Sequence, residues 1–250
     1  MQLTPKPIIT FLDFDDTCFN TRILKQKLIQ AGAKALEPYL THSNLHQQAA
    51  LLSHSLRELK RLRINPNLVR LSQILLLEIS RMGYAFSAPQ LTRIEHALEQ
   101  AFEQALQHSH DLIFPEVPAF LSYATKNHWK LVLLTHGDPE FQQAKVKAAG
   151  LDIIEAIFVT NHNKADAIKA WLNWKQLDPA NFRLLFIDDK PRYLTQVSAL
   201  FPMVSTYQID RSHPKLSDRL VRTVVEHRTR PKSAPPLTPN LIHNLLEVVD

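Results

Sequence analysis

The stretch IITFLDFDDTCFN, residues 8–20, joins a run of apolar residues to three closely spaced acids. Ile8 to Leu12 is continuous rather than alternating in character, as in a strand covered on both faces of a parallel sheet. Asp13, Asp15 and Asp16 follow at once, and carboxylates this close repel one another. Acids crowded at a buried place take up protons unless a cation lies among them. The stretch therefore predicts a buried strand that ends at a cation site.

Four later apolar runs have the same character as the first. They are Leu131–Leu134, Ala156–Val159, Leu184–Ile187 and Met203–Tyr207. Helical segments separate them: Asp138-Pro139 predicts the start of a helix that runs to Ala149 and stops at Gly150. Asp178-Pro179 is a second cap or turn signal. Strands that alternate with helices predict an α/β fold, a Rossmann-like doubly wound parallel sheet.

A long helical segment interrupts this alternation between the first and second strands. Leu68, Leu71, Leu75 and Ile79 recur at helical spacing, and residues 19–114 predict three to five helices. A crossover between parallel strands needs only about a dozen residues, so the segment predicts an inserted all-helical domain. The predicted core is then residues 1–18 and 115–250.

Near the C-terminus, several prolines predict an extended stretch followed by a closing helix. The prolines are Pro231, Pro235, Pro236 and Pro239, and the helix would place Leu241, Ile242, Leu245, Leu246 and Val249 on one side.

Composition narrows the function classes. Hydrophobic residues make up 45% of the 250 residues and no apolar run reaches membrane-spanning length, so a globular protein without a membrane span is expected. One cysteine, Cys18, and the lack of a leader-like start favour the cytoplasm. The four glycines are too scattered for a GxGxxG motif or a P-loop. The net charge of +5 permits an anionic partner, but no aromatic platform or binding module supports nucleic acid.

Polar residues stand where the predicted strands end. Asp13 and Asp15 follow the first run, Thr135 the second, Lys164 comes shortly after the third, and Asp188 and Asp189 end the fourth. Because ligands bind beyond the carboxyl ends of parallel strands, these groups are expected to converge. Carboxylates that meet near a phosphate group are typical of a Mg²⁺ site.

This set of motifs resembles the haloacid dehalogenase superfamily. FLDFDDT is similar to its first motif, a strand followed by DxDx[TV], and LVLLTHGDPEFQQAKVKAAGL to the second, a strand ending in Thr or Ser with its helix. Lys164 fits the third motif, although Ala165 stands where relatives often have Pro. LLFIDD fits the fourth in its paired-acid form.

The resemblance implies a Mg²⁺-dependent phosphatase that acts on a small phosphorylated metabolite beneath a helical cap. The resemblance implies that Asp13 is the nucleophile and that Asp15 is the general acid and base and, through its backbone carbonyl, a metal ligand. It implies that Thr135 and Lys164 contact the phosphate. The metal would be held by Asp13, Asp188 and Asp189, and Asp189 is the better match to a direct ligand.

Asp15 also bears on the reaction within the superfamily. Dehalogenases, which protonate no oxygen leaving group, lack this second acid, so its presence favours phosphoryl transfer. Three alternatives stay open: a phosphomutase, a phosphonate hydrolase with a cap lysine (Lys25, Lys27, Lys34 or Lys60) as Schiff base, and a non-catalytic phosphate-binding regulatory module. The sequence leaves the substrate and the oligomeric state open.

Overall fold

A computed structural model describes residues 6–40, 45–61, 67–151, 154, 156–161, 163–211 and 240–248. The described residues form six strands and eight α-helices. The strands are β1 (Ile8–Leu12), β2 (Lys130–His136), β3 (Ala156–Thr160), β4 (Arg183–Asp188), β5 (Ser205–Ile209) and β6 (Asn240–Ile242). The helices are α1 (Thr21–Leu36), α2 (Leu45–Arg61), α3 (Leu68–Arg81), α4 (Ala88–Gln107), α5 (Val117–Lys126), α6 (Pro139–Ala148), α7 (Lys164–Trp174) and α8 (Pro191–Leu200).

The strands form one parallel sheet in the order β3-β2-β1-β4-β5-β6. In the middle of the sheet, Phe11 of β1 is in register with Val132 of β2 on one side and Phe186 of β4 on the other. The strand order reverses between β1 and β4, since the chain first moves outward to β3 and then returns. Ligands of open α/β sheets bind at such a reversal, beyond the carboxyl ends of the strands. The topology confirms the predicted doubly wound sheet and brings the ends of β1 and β4 side by side.

Apolar packing against α7 and α8 fixes the centre of this sheet. Ile9 and Phe11 are fully buried, and Trp171 of α7 packs edge-on against Phe11 with ring centroids 5.4 Å apart. Each large side chain buried in this way contributes about 1.5–3 kcal/mol. The strand ends that carry the polar residues therefore project from a well-packed layer.

The helices that follow β1 pack against one another through apolar residues and one glycine. Leu71, Leu75 and Ile79 of α3 are buried, as the spacing predicted. Gly32 of α1 allows a close approach, because a Cβ atom there would lie 2.7 Å from Phe102 and 2.9 Å from Leu52. Four α-helices occupy the described part of residues 19–114, within the predicted range of three to five.

The chain divides into two compact units. One is the α/β unit, residues 1–19, 113–136 and 153–250, and the other is the helical unit, residues 20–112 and 137–152. The helical unit thus includes α6, which the predicted boundaries placed with the sheet. Within it, Asn67 Nδ2 donates to Asp138 Oδ2 over 3.2 Å, and Arg70 Nη1 lies 3.6 Å from the same oxygen. These contacts join the start of α6 to the start of α3.

Two predictions for the last strands were wrong. The fifth strand is Ser205–Ile209 rather than Met203–Tyr207, because its ladder with β4 begins where Ser205 pairs with Leu185. The predicted closing helix is instead strand β6 followed by a short 3₁₀ helix, Leu245–Val248. Backbone pairing of β6 with β5 outweighs the helical spacing of its apolar residues. The proline stretch and Val249 lie outside the described residues.

Among the described residues, no helix has both the length and the apolar composition needed to cross a membrane.

Candidate active site

Lys164, the first residue of α7, lies between two carboxylates at the strand ends. Its Nζ is 2.5 Å from Asp13 Oδ1 and 2.5 Å from Asp188 Oδ2, and its side chain is 1% exposed. Asn163 caps α7 by accepting from the Ala165 N–H, so the helix begins where the lysine must project. Burial alone would lower the pKa of Lys164, but the charges of Asp13 and Asp188 outweigh it and raise the pKa. The lysine is therefore a fixed positive charge.

Asp13 is held from several directions. Its backbone N–H donates to the Ile187 carbonyl over 2.9 Å, which continues the ladder between β1 and β4. Its Oδ1 contacts Lys164, and its Oδ2 accepts a hydrogen bond from Thr17 Oγ1 over 3.0 Å. Burial raises the pKa of the Asp13 carboxyl, and the positive charges of Lys164 and Lys190 oppose that effect. The carboxylate is thus fixed in orientation, almost out of solvent and beside cations.

Three carboxylates form one group. Asp13, Asp188 and Asp189 each offer an oxygen within 4.8 Å of the others. Asp188 is fully buried, and burial, followed by the charge of Asp13, raises its pKa to about 7. A close set of carboxylate oxygens is the ligand type that hard divalent cations prefer. The residues therefore fit Mg²⁺, whose charge would also relieve their repulsion.

Thr135, near the end of β2, offers a hydroxyl that its surroundings do not satisfy. The side chain is fully buried, and Oγ1 has no hydrogen-bond partner among the described residues. A buried polar group without a partner costs about 1–3 kcal/mol, so an oxygen of a bound ligand would be stabilised here. The next residue, His136, is half-buried, and burial and then the charge of Lys164 lower its pKa. The end of β2 thus offers a buried hydroxyl to an oxygen atom of a ligand.

Solved structures similar to this one cover almost the whole chain. A haloacid dehalogenase-like hydrolase from Burkholderia xenovorans is 18% identical, with 98% of this chain and 96% of that chain covered and a TM-score of 0.64. A 2-haloacid dehalogenase from Pseudomonas syringae pv. Tomato is 17% identical, with 98% and 96% covered and a TM-score of 0.58. The HAD-hydrolase YfnB from Bacillus subtilis, bound to magnesium, is 15% identical, with 98% and 97% covered and a TM-score of 0.55. No protein-family model and no curated protein matches the chain.

The chain has the haloacid dehalogenase fold. This confirms the fold that the four sequence motifs implied. The neighbours carry different names, hydrolase and dehalogenase, so the fold alone does not determine the reaction.

Asp15, the residue that bears on that reaction, lies on the loop after β1. It is half-buried and pairs through its backbone with Phe19. Its carboxyl is not one of the three that lie together in the carboxylate group. Its expected role as general acid and base, and that of its backbone carbonyl at the metal, stay predictions.

Cys18, on the same loop, is a packed residue rather than a reactive thiol. Its Sγ is buried and lies 3.3 Å from the Asp13 carbonyl oxygen, to which it donates. Burial and then the charge of Asp13 raise the pKa of the thiol well above its usual value. A thiol in this state is a weak nucleophile.

Lys190 is a residue of the site that sequence reasoning missed. Its Nζ donates to Asp189 Oδ1 over 3.1 Å, and its backbone N–H donates to Asp188 Oδ1 over 2.8 Å. Although burial opposes it, the charges of Asp13 and Asp189 raise the pKa of Lys190. The signal was its position directly after the paired acids, where it becomes the N-cap residue of α8. The group of three carboxylates is thus flanked by two cations, Lys164 and Lys190.

Proposed function

We propose that this protein is a Mg²⁺-dependent phosphatase that hydrolyses a small phosphorylated metabolite through an aspartyl phosphate on Asp13. The observation that carries the proposal is the surroundings of Asp13: a buried carboxylate held by Thr17 and Lys164, beside Asp188 and Asp189. An oriented carboxylate among cations can accept a phosphoryl group, which divides one difficult hydrolysis into two easier steps.

In the first step, an oxygen of Asp13 attacks the phosphorus atom and the bond from phosphorus to the leaving oxygen breaks. Asp15 gives its proton to that oxygen, so that the leaving group departs as a neutral alcohol. Thr135 Oγ1, which has no other partner among the described residues, donates to a phosphoryl oxygen. Lys164 supplies a fixed charge next to the attacking carboxylate. Preorganised charges of this kind account for much of the catalysis of phosphoryl transfer.

In the second step, Asp15 takes a proton from water, and the water oxygen attacks the phosphorus. The bond between phosphorus and Asp13 breaks, which restores the carboxylate and releases inorganic phosphate. Asp13, Asp188 and Asp189, with the Asp15 carbonyl, would hold Mg²⁺. When bound, the metal supplies neutralisation of charge on the phosphoryl oxygens. We further propose that the helical unit acts as the cap that selects the substrate.

The residue that favours phosphoryl transfer over dehalogenation is Asp15. An alkyl halide releases a halide ion that needs no proton, whereas an alkoxide leaving group needs one near neutral pH. The second acid therefore has a use in a phosphatase that a dehalogenase does not have.

The experiment measures phosphate release from para-nitrophenyl phosphate and a panel of phosphorylated metabolites, with Mg²⁺ and with EDTA. Wild type is compared with Asp13→Asn and Asp15→Asn. Asp166→Asn, an exposed acid on α7, is the matched control. We expect Mg²⁺-dependent turnover that both site substitutions abolish and the control retains. Halide release from 2-haloacids, or no turnover of any ester by folded, Mg²⁺-loaded protein, would contradict the proposal. Phosphonate cleavage or phosphoryl transfer to a second hydroxyl would indicate the alternative reactions, and tight phosphate binding without turnover a regulatory module.

A further inference from the structure

Arg211, two residues beyond the end of β5, makes three contacts with other segments of the α/β unit. Its Nη2 donates to the Thr17 carbonyl oxygen over 2.5 Å. Its Nη1 lies 2.5 Å from Glu116 Oε1, in an ion pair whose side chains are only 15% and 11% exposed. Its guanidinium carbon lies 3.8 Å from the centre of the Phe114 ring. One side chain thus holds the loop after β1 and the segment that leads into α5.

Thr17 connects this arginine to the proposed nucleophile. Its hydroxyl donates to Asp13 Oδ2 over 3.0 Å, while its carbonyl accepts from Arg211. The loop is a tight turn in which the Phe14 carbonyl accepts from both the Cys18 and the Phe19 N–H groups at 3.0 Å. A small shift of the Thr17 backbone would therefore move the hydroxyl that orients the Asp13 carboxylate.

The two chain segments that Arg211 contacts also pair with each other. The Phe114 N–H donates to the Cys18 carbonyl over 3.0 Å, and Phe19 forms an antiparallel bridge with Ile113. These segments are where the chain leaves the α/β unit and where it returns. Arg211 contacts the leaving segment through Thr17 and the returning one through Phe114 and Glu116.

The chemistry of the arginine suits this task. A guanidinium presents planar donors that reach two acceptors at once and a face that stacks on an aromatic ring. A lysine in its place would keep a positive charge for Glu116 but could not hold the same three contacts. The ion pair is also mostly buried, so loss of one partner leaves the other charge poorly solvated.

We propose that Arg211 is a positioning residue that holds Thr17, and through it the Asp13 carboxylate, in the orientation needed for attack. The proposal rests on the proposed function, because it takes Asp13 as the nucleophile. A displacement of about 1 Å at a reacting group lowers rates by on the order of 100-fold, so a contact two residues removed from the chemistry can control kcat.

The test compares wild type with Arg211→Lys, Arg211→Gly, Thr17→Val and the double variant Thr17→Val/Arg211→Lys. Arg81→Ala is the control, an exposed arginine paired with Glu78 in the helical unit. For Arg211→Lys we expect kcat about 10- to 100-fold lower with KM changed by less than about threefold, since substrate binding is not the defect. The double variant should be no slower than Thr17→Val, because both substitutions break one chain of contacts.

Chemical rescue separates positioning from general damage. Guanidinium ion at a concentration that does not denature wild type should restore part of the kcat of Arg211→Gly. It should not restore Arg211→Lys, whose ammonium occupies the place, or Thr17→Val. Amide hydrogen exchange by mass spectrometry should show faster exchange of residues 14–19 and 112–117 in both Arg211 variants, with β2 unchanged.

A kcat of Arg211→Gly within about twofold of wild type would overturn the proposal, as would unchanged exchange at residues 14–19. Additive losses in the double variant would also overturn it. If wild type turns over no ester, the proposed function has failed, and the exchange measurement alone then decides whether Arg211 orders the loop around Asp13.

Discussion

Replacement of Lys164 by methionine is expected to destabilise the metal-free protein by an amount that depends on pH. The side chain is 1% exposed and lies 2.5 Å from both Asp13 and Asp188. Methionine keeps most of the volume but removes the charge, which leaves two buried carboxylates without their shared partner. Removal of one member of a buried ion pair costs about 3–5 kcal/mol. For a protein of this size, that corresponds to a fall in Tm of about 6–20 °C.

The pH dependence follows from Asp188, whose pKa in the folded protein is raised to about 7. A carboxyl with a folded pKa above its unfolded value of about 3.9 stabilises the fold below that value, and the contribution is lost as the pH rises through the folded pKa. At pH 5 the Asp188 carboxyl is mostly protonated, so loss of the lysine charge should destabilise the folded protein less. At pH 8 the Asp188 carboxyl is mostly charged, so the loss in Lys164→Met should be largest there.

The assay is urea unfolding in EDTA at pH 5 and pH 8, with Lys169→Met as control because that lysine is exposed on the same helix. The control should lie within about 0.5 kcal/mol of wild type. Added Mg²⁺ should restore part of the lost stability at pH 8. A loss below about 1 kcal/mol at pH 8, or an equal loss at both pH values, would refute the reasoning.

Four further results are expected. Metal-free wild type should lose stability relative to Asp188→Asn as the pH rises from about 4 to about 7, because over this range the folded protein keeps the proton of Asp188 that the unfolded chain has released; urea unfolding measures the slope. In scanning fluorimetry, Mg²⁺ should raise the Tm of wild type more at pH 8 than at pH 5.5, because protons compete with the metal for the carboxylates. Asp189→Asn should reduce this shift in Tm, and the control Asp166→Asn should retain it. Thr135→Val should leave the free energy of unfolding unchanged or raise it by up to about 1 kcal/mol, because the hydroxyl has no partner among the described residues. The same substitution should lower kcat/KM on phosphate esters by roughly tenfold. A loss of both stability and kcat/KM would contradict a ligand role for the hydroxyl. Gly137→Ala should cost about 1 kcal/mol or more in chemical unfolding, because φ is +151° and a Cβ would lie 2.6 Å from Gln142 Nε2.

The sheet and its polar edge could be predicted because both depend on local sequence. A buried parallel strand needs a nearly continuous apolar run, and Leu184–Ile187 is apolar throughout and Ile8–Leu12 at every position except Thr10. Since parallel strands end at one edge, the residues after those runs had to meet there, as Asp13, Lys164 and Asp188 do.

The features that were missed depend on contacts between distant segments. β6 has three residues, too few to show a periodic pattern of apolar residues in the sequence. It pairs with a strand about thirty residues earlier in the chain. The ends of β2 extend to Lys130 and His136 because they have partners in β1 and β3. Lys190 and Arg211 look like ordinary surface cations in the sequence, and only the folded chain brings them to Asp189 and Thr17.

The central claim is that Asp13 carries the phosphoryl group, and acid-quench trapping tests it most directly. Protein with Mg²⁺ and its best ester is quenched in acid within a turnover and digested, and the peptides are weighed. We predict a phosphate adduct on the peptide that contains Asp13, removed by hydroxylamine as an acyl phosphate is, and absent from Asp13→Asn and from EDTA samples. Turnover without an adduct at Asp13, or with the adduct on another residue, would contradict the account.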